Sequence, residues 1–347
     1  MTRSTSMLYR FRRQRGAALL AAMLTVTLVA TFAASALWQQ FRSTEIESAE
    51  RSRVQASWIL TGSLDWARLI LREDVRAGEV DHLGEPWAVP LNEARLSSFL
   101  AVDASVSATE PGEGLDAFLS GQITDLQSRL NVANLIEGTV ISEPGLIVFG
   151  RLFETLGLPP AQLTDAANQL LAASRSANPV VVPSTVAGVP TPPPPAPSST
   201  APLLPQRVDQ LVWLGLAPAT LTALRPFITL LPRRTAINLN TASAEVIYAA
   251  TPGLDRVAAQ RLVAARAGSH FRKVADAIRL ISNPQAQIAL AQHDIKSQYF
   301  EVRGLLRVDK TVVEERSVLQ REGLSVSTLW RDRGVVREAA ASLEIRR

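Results

Sequence analysis

From Gly16 to Phe41 the sequence runs GAALLAAMLTVTLVATFAASALWQQF, without one charged side chain. About 20 apolar residues are enough to cross a bilayer as a helix. A single segment in lipid has to be helical, because only a helix satisfies its own backbone polar groups. Five arginines and no acid stand before it: Arg3, Arg10, Arg12, Arg13 and Arg15. Glu45, Glu47 and Glu50 follow it. The asymmetry predicts a single pass over residues 17–38, with the N-terminus cytoplasmic and the bulk of the chain across the membrane.

Three readings of this segment compete. A secretory signal would be cut after the A-x-A at Ala34-Ser35-Ala36. A plain anchor would keep Met1. A prepilin-type leader, residues 1–16, would be cut by a prepilin peptidase on the cytoplasmic side, between Gly16 and Ala17 in RQRGAALL. The sequence beyond residue 36 favours the third, because it stays helix-compatible. The first proline is Pro86, and between Gly16 and Gly78 the only glycine is Gly62. Leu60, Leu64, Ala67, Leu71 and Val75 then recur at spacings of three and four, one face of an amphipathic helix. One helix from about Ala17 to Val75 would be roughly 85–90 Å long.

No cysteine is present, which excludes disulfides and thiolate metal sites. Charge is unevenly spread. Residues 17–206 carry 10 basic and 19 acidic groups, and residues 207–347 carry 21 and 13. The basic C-terminal half keeps nucleic acid or an acidic protein open as partners.

Residues 92–130 read as loops and short strands, and the pattern turns helical from Glu143 to about Gln298. Three stretches share a plan of helix, tight Gly-Leu turn and helix: FETLGLPPAQLTDAANQLL, LVWLGLAPATLTALRPF and YAATPGLDRVAAQRLVAAR. Gly157, Gly215 and Gly253 hold the turns, where positive φ is needed. Pro159, Pro160 and Pro218 mark helix starts. Between the first two lies Asn178–Gln206, with ten of the 21 prolines and no charge, an extended loop by composition. From Ser297 on, Phe300, Val302, Leu306 and Val308, then Leu324, Val326, Thr328 and Trp330, alternate as antiparallel strands do.

Catalytic chemistry finds no foothold. His82, His270 and His293 lie far apart in sequence without metal spacing, and no nucleophile elbow, P-loop or dinucleotide fingerprint occurs. Asp81, Glu85 and Trp87 read as a loop held by Pro86 and Trp87. The third hairpin has the turn used to grip DNA phosphates, but such turns carry a second glycine where Asp255 stands here. A carboxylate there repels phosphate and instead caps the helix beginning at Arg256. Asn240–Glu245 supplies another capped start, through Thr241 or Ser243.

Taken in order, RQRGAALLAAML, DHLGEPWAVPL, GQITDLQSRLNVANL and INLNTASAEVIYAATPGLDRVAAQRLVAAR with the later YFEVRG and TLWRDR resemble the minor pseudopilin K family of type II secretion systems. The resemblance implies an α+β fold: a pilin-like long N-terminal transmembrane helix with a small antiparallel sheet, interrupted by a large all-α insert of helix-hairpin-helix (SAM-like) units. The corresponding segments are 39–135 for the first pilin-like part, 136–297 for the insert with its proline-rich loop 178–206, 298–335 for the C-terminal strands and 336–347 for the tail. It implies an inner-membrane protein with a periplasmic body, no enzyme. Its partners would be other minor pseudopilins at a fibre tip, the prepilin peptidase, and the outer-membrane secretin or exported proteins, with no nucleic acid.

Pilin-like subunits carry Glu at the fifth mature position, and this family lacks it; here Ala21 stands there. An unpaired carboxylate in lipid costs about 2.5–3.5 kcal/mol or more, and a tip subunit has no neighbour ahead to pair it. The family also implies calcium, held by an acidic loop, but the matching region here has no acid. The competing reading is a membrane-anchored DNA-binding helix-hairpin-helix protein of the competence type. A signal-cleaved soluble enzyme is a third, and it lacks a catalytic constellation.

Overall fold

The computed structural model describes residues 15–96, 117–177, 201–286, 288–308 and 311–336. Residues 1–14 of the leader, 178–200 of the proline-rich loop and the tail beyond Val336 lie outside these. The chain divides into two compact units, Met1–Ile59 and Leu60–Arg347.

The first unit is helical. Helix α1 (Arg15–Ala77) is unbroken over 63 residues. Its apolar part reaches a mean hydropathy of 2.2, and none of that window is buried by protein. Every side chain from Ala17 to Glu50 is exposed, as a lipid-facing segment requires. The few hydroxyls in it are satisfied internally: Thr25, Thr27, Thr31 and Ser35 each donate to the carbonyl three residues back, at 2.8–2.9 Å.

In the second unit, the last turns of α1 lie on a five-stranded antiparallel sheet of order β1-β2-β9-β10-β11. Its strands are β1 (Leu91–Arg95), β2 (Ala117–Asp125), β9 (Tyr299–Val308), β10 (Thr311–Glu322) and β11 (Ser325–Val336). Two strands thus precede the helical region in sequence and three follow it, and β2 pairs with β9 across the gap.

The α1 stripe meets the sheet as its spacing requires. Leu64, Ala67 and Leu71 join Trp87, Phe300, Val302 and Leu319 in one core cluster. Trp87 and Phe300 meet edge to face, with centroids 5.3 Å apart. Close approach depends on Gly304: a Cβ there would sit 3.3 Å from Leu60 Cδ2 and 3.6 Å from Ser63 Oγ. The stripe ends differently from its sequence pattern. Val75 is only half-buried, and Asp74 is the buried residue of the last turn.

The helical region has its own core. Helices α2 (Glu143–Thr155), α3 (Pro160–Ala177), α4 (Pro218–Leu224), α5 (Ala244–Ala250), α6 (Arg256–Gly268) and α7 (Val274–Ile278) surround it. Val148, Phe149, Leu152 and Phe153 of α2 face Leu163, Ala166 and Leu170 of α3, and Val246, Ile247 and Ala250 of α5 complete the contact. Short strand pairs brace it. β3 (Leu130–Asn131) runs parallel to β6 (Ile228–Thr229), and β7 (Ile237–Asn238) parallel to β8 (His293–Asp294). β4 (Ile136–Glu137) and β5 (Val140–Ile141) form a hairpin.

Candidate functional site

Where the helical region leaves and re-enters the sheet, the fold gathers polar side chains that are far apart in sequence. Arg321, near the end of β10, is 6% exposed and is the hub. Its Nη1 donates to Asp74 Oδ2 at 2.8 Å and to the Leu71 carbonyl at 3.3 Å. Its Nη2 donates to Asp81 Oδ1 and, at 2.9 Å, to the Ser297 carbonyl. The guanidinium also lies 4.7 Å over the Phe300 ring. One cation therefore ties the last turn of α1, the loop after it and the strand that re-enters the sheet.

A second layer of bonds ties in the helical region. Ser297 N donates to Asp81 Oδ2 at 2.7 Å, and Ser297 Oγ donates to Asp125 Oδ2 at 2.7 Å. Thr241 Oγ1 donates to that same oxygen at 2.5 Å, and Gln127 N donates to Asp125 Oδ1 at 2.7 Å. Asn238, fully buried, donates to Ser297 Oγ and to the Asp81 carbonyl. Burial is the leading cause of raised carboxyl pKa values for Asp74, Asp81 and Glu85, opposed by Arg321 at the first two. Among the described residues no cation bonds to Asp125; burial pushes it up to about 6 despite three donated hydrogen bonds.

Asp74, Asp81 and Glu85 each place one oxygen within 4.8 Å of the others, a set that invites comparison with a cation site. The donor set does not fit one. Arg321 already occupies Asp74 and Asp81, and a guanidinium in the cluster repels a metal ion. Glu85 accepts from Trp87 Nε1 at 2.7 Å and from His82 N at 2.9 Å, so it closes its own loop. The cluster is a structural node.

Two of the three histidines, distant in sequence, meet in the fold. His82 and His270, 188 positions apart in the numbering, stack with ring centroids 3.8 Å apart. Burial holds both below the ordinary imidazole range. The lone pairs of stacked rings lie in two parallel planes and do not converge on one ion between them, so the pair is a packing contact between the loop after α1 and the loop after α6. His293 is buried elsewhere, bonded to Thr251 Oγ1 at 2.9 Å.

The three turn glycines all take positive φ: Gly157 at 65°, Gly215 at 88° and Gly253 at 81°. After α2, Gly157 N donates to Glu154 O and Leu158 N to Phe153 O, a left-handed helix stop with both carbonyls satisfied. The second turn departs from the plan, since its leading arm is a 3-10 helix over Val208–Leu214. In the third, Asp255 caps α6 by accepting from Ala258 N at 2.7 Å, and Ser243 caps α5 by accepting from Val246 N.

That third turn is covered by the chain itself. A Cβ on Gly253 would lie 2.3 Å from the Gln285 carbonyl, and Asn283 Nδ2 donates to the Gly253 carbonyl at 2.7 Å. Arg151 of α2 lies 4.1 Å over Tyr248 and donates to the carbonyls of Tyr248 and Leu254, at 2.8 and 2.9 Å. The turn is thus an intramolecular contact. Gly16, Ala17 and Ala21 all fall inside α1, and Ala21 is exposed.

Comparison with known proteins agrees with this arrangement. Two family models match, both described as type II secretion system protein K, over residues 128–233 and 237–303. The chain belongs to this family. Type II secretion system protein K of Pseudomonas aeruginosa is 26% identical over 364 residues, covering 96% of this chain and 93% of that one. A chain in the crystal structure of the GspK–GspI–GspJ complex from the enterotoxigenic Escherichia coli type 2 secretion system matches in fold. The TM-score is 0.57 at 18% identity, with 82% of this chain and 98% of that chain covered. The chain is thus a minor pseudopilin of the type II secretion system, with a mixed α+β body and a single apolar N-terminal helix suited to anchoring it in the membrane. The DNA-binding alternative is not supported. Its physical obstacle is visible at Gly253, where the chain's own residues 283–286 sit on the turn.

Proposed function

We propose that this chain caps the tip of a short periplasmic fibre of pilin-like subunits and helps to start its assembly, so that folded proteins are driven across the outer membrane. The observation that carries this is the helical region set into the sheet between β2 and β9. A subunit with such a head obstructs the packing of another subunit ahead of it, but not at a fibre end. Ala21 agrees: a subunit with no neighbour ahead has no partner for a buried Glu.

In this reading the prepilin peptidase cuts between Gly16 and Ala17, the N-terminus stays cytoplasmic and the body is periplasmic in the inner membrane. The partners are other minor pseudopilins, as in the solved three-protein complex of the structural relative. The secretin or exported proteins would meet the head. The three hairpins form a protein-facing head of helix-hairpin-helix type, without catalytic activity. No calcium is needed, since Ser176–Gln206 offers no carboxylate.

Mass spectrometry of the chain from membranes, with immunogold labelling of fibres, tests this. The expected result is a mature start at Ala17 and label at fibre ends. A start at Leu37, an intact Met1, or label along the shaft overturns it.

A further inference from the structure

The His82–His270 stack lies where the loop after α1 meets the loop after α6. The two rings are nearly parallel, with an interplanar angle of 8° and centroids 3.8 Å apart. Among the described residues no hydrogen bond or ion pair joins these two loops directly, so the stack is their specific contact.

Geometry holds His82 in its neutral form. Gly84 N donates to His82 Nδ1 at 3.1 Å, so that nitrogen carries no proton and the ring proton sits on Nε2. A second proton has to enter at Nδ1. There it meets the Gly84 N–H, the hydrogen bond is lost, and the ring becomes charged beneath His270. His270 makes no hydrogen bond among the described residues, and it lines a shallow surface depression with Ser269 and Arg272, where water reaches it. Two charged rings in this stack repel each other at close range.

The surrounding charges do not offset that repulsion in acid. Asp74 of α1 and Glu85 of the loop after it face the pair, and Glu85 Oε1 is 3.9 Å from His82 Nε2. Burial raises both carboxyls, so acid neutralises them sooner than it does free carboxylates. Asp81 is bound by Arg321 and Glu79 by Lys296. From the other loop Arg272 adds a like charge, while Asp276 of α7 is paired with Arg279. Burial already holds both imidazoles below the ordinary value of 6.5. A folded-state pKa lowered in this way makes the stack's contribution complete above 6.5, and it is withdrawn as pH falls below that toward the folded values.

We propose that the His82–His270 stack is an acid-released latch: near neutral pH it fastens the helical region to the loop that leaves α1, and it parts when both rings take protons. The latch goes beyond the function proposed above and does not depend on it.

Hydrogen–deuterium exchange of the full chain in detergent, read by mass spectrometry at pH 7.5 and pH 5, tests this against His270→Phe. Phe keeps a flat ring over His82, takes no proton, and offers a face that accepts a cation. Comparing the two chains at one pH cancels the intrinsic pH dependence of exchange, and the titrations of His293 and the carboxylates are common to both. At pH 7.5, peptides over residues 79–89 and 267–273 should exchange alike, within about twofold. At pH 5 they should exchange at least about tenfold faster in wild type than in the variant.

Equal exchange of the two chains at pH 5 overturns the latch. A difference of the same size at both pH values overturns it too, because that marks packing and not titration. So does an equal difference at pH 5 in peptides over α2, which marks a global loss of stability. If His270→Phe does not fold, His270→Gln takes its place in the same comparison, with the same outcomes.

Discussion

Asp125 is the buried carboxylate whose charge should be most visible in solution. Its pKa rises from 3.8 to about 6 because burial outweighs the hydrogen bonds from Thr241, Ser297 and Gln127. A folded-state pKa above the unfolded one means that the folded chain holds the proton more tightly. The resulting stability is fully present below the unfolded value of 3.8 and is lost as pH rises through about 6. About two units at 1.36 kcal/mol each correspond to ~3 kcal/mol.

Other carboxylates nearby titrate as well, Asp81 and Asp74 among them, so the wild-type curve alone does not isolate Asp125. The difference between wild type and Asp125→Asn does. Asn keeps the acceptor for Gln127 N, and the Thr241 and Ser297 hydroxyls can turn to accept from its amide. The variant lacks the titration, so it should gain on wild type by ~3 kcal/mol between pH 3.8 and 7.5, a relative rise of roughly 6 °C in Tm for a chain of this size. Thermal melts of the full chain in detergent, followed by circular dichroism at five pH values, measure it. A difference in Tm that stays flat across that range refutes the argument.

Four further outcomes follow from the same geometry. Arg321→Met should cost about 3–5 kcal/mol, because Asp74 and Asp81 are left buried without their cation, and a melt lowered by less than 2 °C at pH 7.5 would count against the node. Gly253→Ala should destabilise clearly more than Gly157→Ala. Both impose positive φ on a Cβ at about 1 kcal/mol, but only at Gly253 does the new atom strike backbone, and denaturant midpoints compare them. Asp255→Ala should cost about 1 kcal/mol through loss of the cap. Asp255→Gly should bind duplex DNA no better than wild type in a fluorescence titration at low salt, since Asn283–Ala286 still cover the turn.

The parts legible in the sequence are those whose cause is local. The charge-free run and its arginines determine α1, and its stripe from Leu60 to Leu71 names the face laid on the sheet. Gly157, Gly215 and Gly253 are legible because positive φ is a property of one residue, and Asp255 because a cap acts within three residues. The node was not legible, since its bonds join Arg321 to residues 240 and 247 positions away. In sequence, Arg321 reads as a solvated residue near a hairpin end, and Asp74 lies on what looks like the polar side of a helix. The His82–His270 stack was hidden for the same reason. A weak signal did exist: Asn238 in INLN sits between Ile237 and Leu239, a place where an amide survives burial only if the fold supplies partners.

The chemistry of that node also bears on what the junction does. The chain passes from the sheet into the helical region after Asp125 and returns near Ser297, so two adjacent connections hold the head, and adjacent connections alone leave it free to pivot. Apolar packing would oppose separation but tolerate sliding, because dispersion contacts are non-directional. Hydrogen bonds fail when their angles change. Asn238, Thr241 and Ser297 bond in fixed directions to Asp81 and Asp125, and Arg321 extends the set to the Leu71 carbonyl and Asp74 of α1. Buried ion pairs add little stability over apolar isosteres, but they can select one arrangement among near-equals. Here the arrangement selected is the orientation of the head on the helix end that carries it. On the function proposed above, a head that meets its partners at a fibre end needs that orientation fixed.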